Sequence, residues 1–348
     1  MSPGDTHDNL VCSGEFAPPA GRKYTVTVCE RGLPVSRGKH HGVTTILEEW
    51  GHRVTQTVDR RLNFDPDSVL WIQGNATWFP KIRRGLAALP RDRRPFVVLW
   101  FTEPLPPPQA ARLPRPRLHL REYAKILLRD ARATDVYTNA SRLRSLDRHG
   151  LVDLLVASTP GRCEYLADHG INAHFVPLGF VSQTHGRDLQ LERDIDVLFL
   201  GELVPRRKKL LARLEQCGVR VQRAGSWFDP AYWGEDRTRL LNRTRIFLNL
   251  ARHPGELSGL RLILGMANKS LVVSEPIYSP GPYVPGRHFV SCTLARMPDV
   301  IQHYLSRVGE RERITSEGYQ LVTRTVTLKK SVARILDLIG EQLPLSSS

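Results

Sequence analysis

The sequence has only five cysteines, and no two of them form a Cys-x-x-Cys pair. An odd, scattered set excludes a disulfide framework and a cysteine zinc site, so we expect a reduced, cytoplasmic chain. The first 23 residues hold acidic residues and prolines where a secretory signal needs a basic start and an apolar core. We therefore expect no export, and we expect residues 1–21 to form a mobile leader.

Long apolar runs and lysine are also scarce. No run approaches the ~18 residues that cross a bilayer, so we expect no transmembrane segment, although peripheral membrane contact stays open. Lysine supplies nine of the 50 basic residues, and the net charge of +15 divides almost evenly, +7 in residues 1–180 and +8 in the remainder. Because no tail or arm concentrates this charge, we expect no specific nucleic-acid partner, and a nucleic-acid binder is a rival that charge alone supports.

Several nucleotide and metal motifs are missing. The sequence has neither the G-x-x-x-x-G-K-[ST] phosphate loop nor the G-x-G-x-x-G fingerprint, which argues against a nucleotide hydrolase and a dehydrogenase. No cluster of histidines and carboxylates has metal-ligand spacing, so we expect no metal site.

What the sequence does contain is an alternation of short β-rich runs with amphipathic stretches, the pattern of a parallel α/β sheet. The first series of strands is predicted at 23–30, 52–59, 68–74, 94–103, 135–140, 152–159 and 172–180. A polar stretch without periodicity follows, which we interpret as an interdomain linker at 182–194. A second series is predicted at 195–203, 218–225, 245–252, 270–276 and 288–293. Two open sheets of this kind form a cleft between the carboxyl ends of their strands, where such sheets bind ligands.

A first candidate phosphate site follows the strand that begins the second series. That strand ends at Gly201, and a helix begins with Pro205, followed by Arg206 and Arg207. The free N–H groups of a helix start, a glycine that allows close approach and arginines that add charged hydrogen bonds together suit a diphosphate. A basic helix on a parallel sheet explains the same pattern without a ligand.

A second cluster follows a later strand of the same series, which ends at Asn249. Glu256 precedes a helix for which Ser258 is a good cap, and Gly259 and Arg261 lie in its first turn. A carboxylate and an arginine at one helix start match a ligand with both hydroxyls and phosphates, since Glu256 can accept from sugar hydroxyls while Arg261 holds the anion. The alternative is a surface ion pair between Glu256 and Arg261.

In the first series, the loop that holds His40 and His41 follows the first strand, and Glu103 closes the strand at 94–103. Strand ends face the cleft, so these side chains are candidates for an acceptor site. Histidine has a pKa suited to proton transfer near neutrality, so His40 or His41 would be the base of an inverting reaction. In a retaining reaction the leaving diphosphate can take the proton instead. Two solvated loop histidines are the alternative.

The second half resembles a known family. Five segments carry the likeness by their order and spacing: IDVLFLGEL, the arginines after it, RIFLNLAR, SGLRLILGMANKSLVVSEP and the stretch that ends in LKKSVARIL. They resemble the carboxyl-terminal half of GT-B glycosyltransferases, above all the CgeB-like proteins and the glycosyl transferases group 1 (family 4) enzymes. The motifs that carry the resemblance lie within residues 195–340. In the first domain, only the order of strands and helices is similar.

This resemblance implies two Rossmann-like domains that face a central cleft. The first, at 22–181, would hold the acceptor, a saccharide, small molecule or lipid-linked glycan, and the second, at 195–326, the nucleotide-sugar donor. A helix at 327–343 would cross back to the first domain. No cofactor is implied, because the nucleotide sugar is a substrate.

The family pattern has one glutamate before the second-cluster helix and another eight positions later. Glu256 fits the first, which in relatives faces the donor sugar, but Leu264 replaces the second, which would hold the ribose. Either Asn249 or Ser258 holds the ribose, or the donor is unusual, or catalysis has been lost. The resemblance therefore predicts a metal-independent glycosyltransferase, with a catalytically silent CgeB-like binding or structural protein as the alternative.

Overall fold

The computed structural model describes residues 22–29, 42–58, 62–74, 80–114, 120–128, 136–225, 233–257 and 259–343. The predicted leader, the loop with His40 and His41, and Ser258 lie outside these ranges.

The N-terminal domain is built on a sheet of six parallel strands in the order β2-β1-β3-β4-β5-β6. The strands are β1 (Thr25–Cys29), β2 (Arg53–Thr57), β3 (Val69–Gly74), β4 (Phe96–Phe101), β5 (Leu154–Ala157) and β6 (His174–Phe175). The helices are α1 (Val43–Glu49), α2 (Pro80–Ala87), α3 (Leu120–Leu127), α4 (Val136–Arg148) and α5 (Pro160–Ala167), with 3₁₀ turns at Arg91–Arg93 and Gln109–Ala111. β3 and β4 are almost continuously apolar and buried, as strands covered on both faces must be.

The predicted strand at 135–140 is wrong, because this segment begins α4. Its apolar residues continue beyond the predicted strand, and Ala140, Leu143 and Leu146 pack into one apolar cluster under the sheet. A spacing of three and four residues is that of a helix face, and a six-residue window is too short to show it. The predicted strand at 172–180 is also too long, since only His174–Phe175 pairs with the sheet.

The C-terminal domain has five parallel strands in the order β11-β10-β9-β7-β8. The strands are β7 (Ile195–Leu200), β8 (Gln222–Ala224), β9 (Thr244–Asn249), β10 (Leu271–Ser274) and β11 (Val290–Ser291). The helices are α6 (Ser182–His185), α7 (Pro205–Gln216), α8 (Gly234–Asn242), α9 (Gly259–Ala267), α10 (Met297–Ser306), α11 (Val308–Gln320) and α12 (Leu328–Gln342), with a π-helical turn at Leu321–Thr325. These two parallel sheets confirm the predicted α/β fold class.

The last helix, α12, packs on the N-terminal domain, as the resemblance implied. Val332, Ile335 and Ile339 are buried in one cluster with Val26 of β1 and Trp100 of β4. The chain enters the helix through backbone pairing with the end of the N-terminal domain, where Phe180 N–H donates to Val326 O at 2.8 Å and Leu328 N–H to Phe180 O at 3.0 Å. The N-terminal core is therefore completed by the C-terminal end of the sequence.

The predicted linker is fixed to the C-terminal domain. Leu189 N–H donates to Asn242 Oδ1 at 2.6 Å, and Asn268 Nδ2 donates to His185 O at 2.9 Å. Arg193 Nη1 donates to Thr244 O at 2.5 Å. Polar groups at the end of α8, at the start of β9 and just after α9 therefore hold this segment in place, which agrees with its lack of hydrophobic periodicity.

Candidate functional site

The carboxyl ends of the two sheets meet at a small interdomain cavity. Residues 104–108, which follow β4, and Arg162 of α5 line it from the N-terminal domain, and His253, Glu256 and Tyr278 line it from the C-terminal domain. The cavity volume is about 50 Å³, far below the ~300–1,000 Å³ of a small-molecule pocket. The two domains are thus in close contact here, and Tyr278 Oη also donates to Glu164 Oε2 of α5 at 2.5 Å.

Two arginines of the predicted phosphate site share one aromatic ring. The guanidinium carbon of Arg207 lies 5.7 Å from the ring centroid of Phe199, and that of Arg261 lies 5.9 Å from it. Arg207 donates to Leu250 O at 2.9 Å and to Glu202 O at 3.1 Å, whereas Arg261 makes one long hydrogen bond of 3.5 Å to Leu250 O. Within the described ranges, neither guanidinium forms an ion pair with a carboxylate.

This arrangement lowers the pKa of both arginines. Burial, followed by the charge of Arg207, lowers the pKa of Arg261 to about 9. Burial, followed by the charge of Arg252, lowers the pKa of Arg207 to about 10. Both side chains remain charged at neutral pH, so two like charges are held together at the ends of β7 and β9. Such a pair is a favourable site for an anion.

Gly201 allows this approach. Its φ of +137° is a conformation that L side chains rarely adopt, and a Cβ atom there would lie 3.0 Å from Arg261 Nη2. The glycine therefore leaves the space in which the arginine sits. Gly259, at the start of α9, faces open space, since no heavy atom lies within 4 Å of a Cβ built there.

Arg206 does not face this pair as the sequence predicted. Its guanidinium makes a bidentate ion pair with the buried Glu275 after β10, with Nη1 at 2.9 Å from Oε1, and Nη1 also donates to Ala251 O at 2.8 Å. Glu275 Oε1 in turn accepts from Ala251 N–H at 2.8 Å. Because its charge is already neutralised, Arg206 holds the chain after β9 in position.

Asn249 and Leu264 are both buried away from solvent. Asn249 Nδ2 donates to Ser274 Oγ at 2.9 Å, and its Oδ1 has no hydrogen-bond partner in the described part of the chain. Asn249 thus supports the neighbouring strand rather than facing the cleft as predicted. Leu264 packs in the apolar cluster between α9 and the sheet. Neither residue offers an exposed polar group to a ribose.

Glu256 lies at the cavity, half-buried, between the two domains. No ion pair joins it to Arg261, so the predicted alternative of a surface pair is not present. His253 lines the same cavity, and burial lowers its pKa more than the nearby charge of Glu256 raises it. A neutral imidazole and a carboxylate therefore stand side by side on the wall contributed by the C-terminal domain.

Sequence reasoning missed Arg162. It lies in the first turn of α5, after the cap Thr159, and its Nη1 donates to Ser158 Oγ at 2.5 Å. Burial lowers the pKa of Arg162, while the charges of Glu256 and Glu103 oppose that shift, so the arginine stands between carboxylates of the two domains. A strand end followed by a capping threonine and a proline was the available signal, since it marks a helix start at the cleft.

Of the remaining predicted residues, the structure describes Glu103. Glu103 is half-buried and follows β4 in the N-terminal domain, and its role towards an acceptor stays a prediction. His40, His41 and Ser258 lie outside the described residues. No group of three histidines, cysteines or carboxylates in the described ranges is placed to hold a metal ion.

Residues 206–337 match a known family, described as glycosyl transferase-like. No curated protein matches the sequence. Among solved structures, Anabaena HepE in complex with UDP and glucose superposes with a TM-score of 0.57 at 10% identity, over 91% of this chain and 100% of HepE.

Two further solved structures have the same fold. AviGT4, a glycosyltransferase of avilamycin A biosynthesis, gives a TM-score of 0.51 at 14% identity over 90% of this chain and 96% of AviGT4. S. aureus TarM gives 0.53 at 13% identity over 79% of this chain, which spans 55% of the TarM chain. Residues 206–337 are therefore similar to a glycosyl transferase-like domain, and the chain shares the two-sheet fold of these solved glycosyltransferases.

Proposed function

We propose that the protein transfers a sugar from a nucleotide-diphosphate donor, without a metal ion, to an acceptor bound on the N-terminal side of the cleft. The observation that carries this proposal is the pair of guanidinium groups of Arg207 and Arg261 on Phe199. Two buried charges of one sign, with no carboxylate partner among the described residues, are costly unless an anion completes the site. A diphosphate supplies that anion, and the two arginines neutralise its charge as a divalent cation does in other enzymes.

The start of α9 extends the same site. Its N–H groups carry the partial positive charge of a helix N-terminus, and Gly259 leaves open space in front of them. The ribose would be held by Ser258 or by backbone groups, because Leu264 and Asn249 are buried. HepE contains UDP and glucose, which makes UDP the first nucleotide to test on this chain.

Glu256 and Arg162 face the cavity from opposite domains, which suits the reacting end of the donor. A carboxylate close to the sugar orients its hydroxyls and favours the positive charge that develops at the anomeric carbon. The arginines favour the negative charge on the departing diphosphate. Glu103 and Arg162 would contact the acceptor, whose proton passes to His40 or His41 in an inverting reaction, or to the diphosphate in a retaining one.

The test is a thermal-shift titration with UDP, GDP and dTDP in the presence of EDTA. We expect one nucleotide to raise the melting temperature, since a ligand that binds only the folded state stabilises it by ~2.7 kcal/mol at 100 times its Kd. Arg261→Ala should weaken that nucleotide by ~1.5–3 kcal/mol, the range for a charged hydrogen bond. The matched control is Arg245→Ala, at the opposite end of β9, where the arginine pairs with Asp196 on the surface.

Two results would reject parts of the proposal. Stabilisation that EDTA abolishes would exclude a metal-free site, and equal Kd values in Arg261→Ala and Arg245→Ala would mean that the phosphates bind elsewhere. The alternative, a catalytically silent protein on the same scaffold, rests on Leu264. It predicts nucleotide binding but no release of nucleotide from any nucleotide sugar in the presence of candidate acceptors.

A further inference from the structure

Helix α3 of the N-terminal domain carries an exposed apolar face. Leu120 is 89% exposed, Leu127 82%, Leu128 80% and Tyr123 52%. These residues are three, seven and eight positions from Leu120, which places them on one side of a helix. Elsewhere in the described ranges, large exposed apolar residues do not share a helix or strand in this way: Val58, Phe175, Leu203, Val284 and Val308. Single residues of that kind are ordinary, whereas a grouped face marks an interaction surface.

The sequence around this helix is strongly basic. Residues 112–132 contain seven arginine or lysine residues and two acidic ones. A short helix that combines leucine and tyrosine with such flanking charge has the composition of a helix that lies in the interface of a bilayer. Anionic headgroups attract the basic residues, and the leucine side chains enter the acyl boundary.

The same composition argues against two other partners. A second copy of the chain would bring two like-charged surfaces together, which costs free energy at an interface. A nucleic acid would use the basic residues but would leave the leucines in water, because phosphate contacts are made by charged and polar groups.

The segment that leads to α3 forms part of the cleft. Residues 104–108 line the interdomain cavity, and Leu113 lies against the opposite domain, where a Cβ atom on Gly255 would be 2.1 Å from its Cδ1. Because α3 begins seven residues after Leu113, a surface that holds α3 lies no more than ~25 Å from this contact.

We propose that α3 docks the N-terminal domain onto the surface of a bilayer that contains anionic lipids. The orientation brings a membrane-held acceptor to the cleft, and that part alone rests on the proposed function. Docking itself requires only the apolar face and the charge around it.

The experiment is co-sedimentation with phosphatidylcholine vesicles, with and without phosphatidylglycerol. We expect the wild-type protein to bind the anionic vesicles at physiological salt, and to bind more weakly as salt rises, because salt screens the charges. Leu120→Asp/Leu127→Asp should lower the partition coefficient at least ~10-fold, because two apolar contacts are lost. Both side chains are exposed, so folding and the UDP-dependent thermal shift should not change.

The matched control is Val308→Asp, an exposed apolar residue at the start of α11 in the other domain. It should bind vesicles as the wild type does. Wild-type protein that stays in the supernatant with anionic vesicles would overturn the proposal, and so would equal partitioning of the double variant and the control. A wild-type dimer that the double variant converts to a monomer, without vesicle binding, would assign the face to self-association instead. UDP binding that persists in any of these cases leaves the donor site unaffected.

Discussion

Arg206 and Arg261 lie in the first turns of α7 and α9, which follow the adjacent strands β7 and β9, yet their guanidinium groups have different partners. Arg206 is neutralised by Glu275, whereas Arg261 has a long hydrogen bond to Leu250 O and no carboxylate partner among the described residues. A paired arginine fixes the backbone around it, whereas an arginine without a carboxylate can bind an external anion. At the residue scale, the partner therefore determines the role.

Glu256 is expected to affect turnover more than nucleotide binding. Glu256→Gln keeps the shape of the side chain and removes its charge, so the stabilisation of positive charge in the transition state is lost while the phosphate contacts remain. We expect kcat to fall by roughly 10²-fold, the scale of one lost electrostatic contact, with UDP affinity nearly unchanged. Steady-state kinetics and a UDP titration on the one variant measure both quantities.

Glu215→Gln is the control for this variant, because Glu215 forms an exposed ion pair with Arg223. Such pairs contribute ~0–1 kcal/mol, so kinetics should be normal. If Glu256→Gln behaves like Glu215→Gln, the carboxylate is not part of the reacting site.

At the scale of elements, α12 ties the two domains together. Ile335 is fully buried in the N-terminal core although it lies near the end of the chain. We expect Ile335→Ala to cost ~2–5 kcal/mol through lost burial and a cavity. Hydrogen exchange should show the loss in β1 and β3.

Ile301→Ala makes the same chemical change in α10, where Ile301 is buried in the C-terminal core. Its exchange losses should appear in β9 and β10 instead. Identical exchange maps for the two variants would mean that the domains do not unfold separately.

His185 lies in the linker that is fixed to the C-terminal domain, and its environment disfavours the protonated ring. Burial, with the nearby charge of Arg237 as the second cause, lowers the pKa of His185 to about 4 from 6.5. Between these two pKa values, His185 is protonated in the unfolded chain and neutral in the folded chain. The free energy of unfolding therefore keeps its full value above pH ~6.5 and falls as the pH drops towards ~4. The loss from this group is up to about 3 kcal/mol at ~1.4 kcal/mol per pH unit.

Urea unfolding of wild type and His185→Gln between these two pH values measures this contribution. Burial also lowers the pKa of His52, His253 and His288, so the wild-type curve includes their effects in the same direction. The share of His185 is the difference in slope between the two proteins. Parallel curves would show that the ring is accessible to water.

At the scale of the whole molecule, the net charge of +15 is divided almost evenly between the two halves of the sequence. Among the described residues, ten surface arginines are held in ion pairs with carboxylates: Arg91, Arg187, Arg223, Arg239, Arg243, Arg245, Arg252, Arg287, Arg313 and Arg334. We expect only weak binding of a DNA or RNA duplex, lost by physiological salt, with a log–log salt slope near −0.9 per phosphate neutralised. Fluorescence anisotropy across a salt series measures this binding. Submicromolar affinity for a duplex at physiological salt would contradict the proposed enzymatic function.

The fold class could be predicted because its signals are local. The central strands β3, β4, β7, β9 and β10 stand in the sequence as short, mainly apolar runs that stop at glycine or a polar residue. Their parallel order follows from the helices between them. Gly201 could be identified for the same reason, since a strand end next to a helix start is visible within a few residues. The prediction of a strand at 135–140 was wrong because the helical spacing of apolar residues in α4 becomes visible only beyond these six residues.

Only the tertiary structure decided which charged groups face the cleft. Glu275, which neutralises Arg206, lies 69 positions away in the chain. Arg162 meets Glu256 only because two separate domains touch, and α12 completes a core that begins some 300 residues earlier, at Val26. The sequence alone determined the sheets and the helix starts, because strand and helix patterns depend on neighbours along the chain. Whether an arginine is available to bind an anion or is paired within the fold depends on the carboxylates that folding brings close to it.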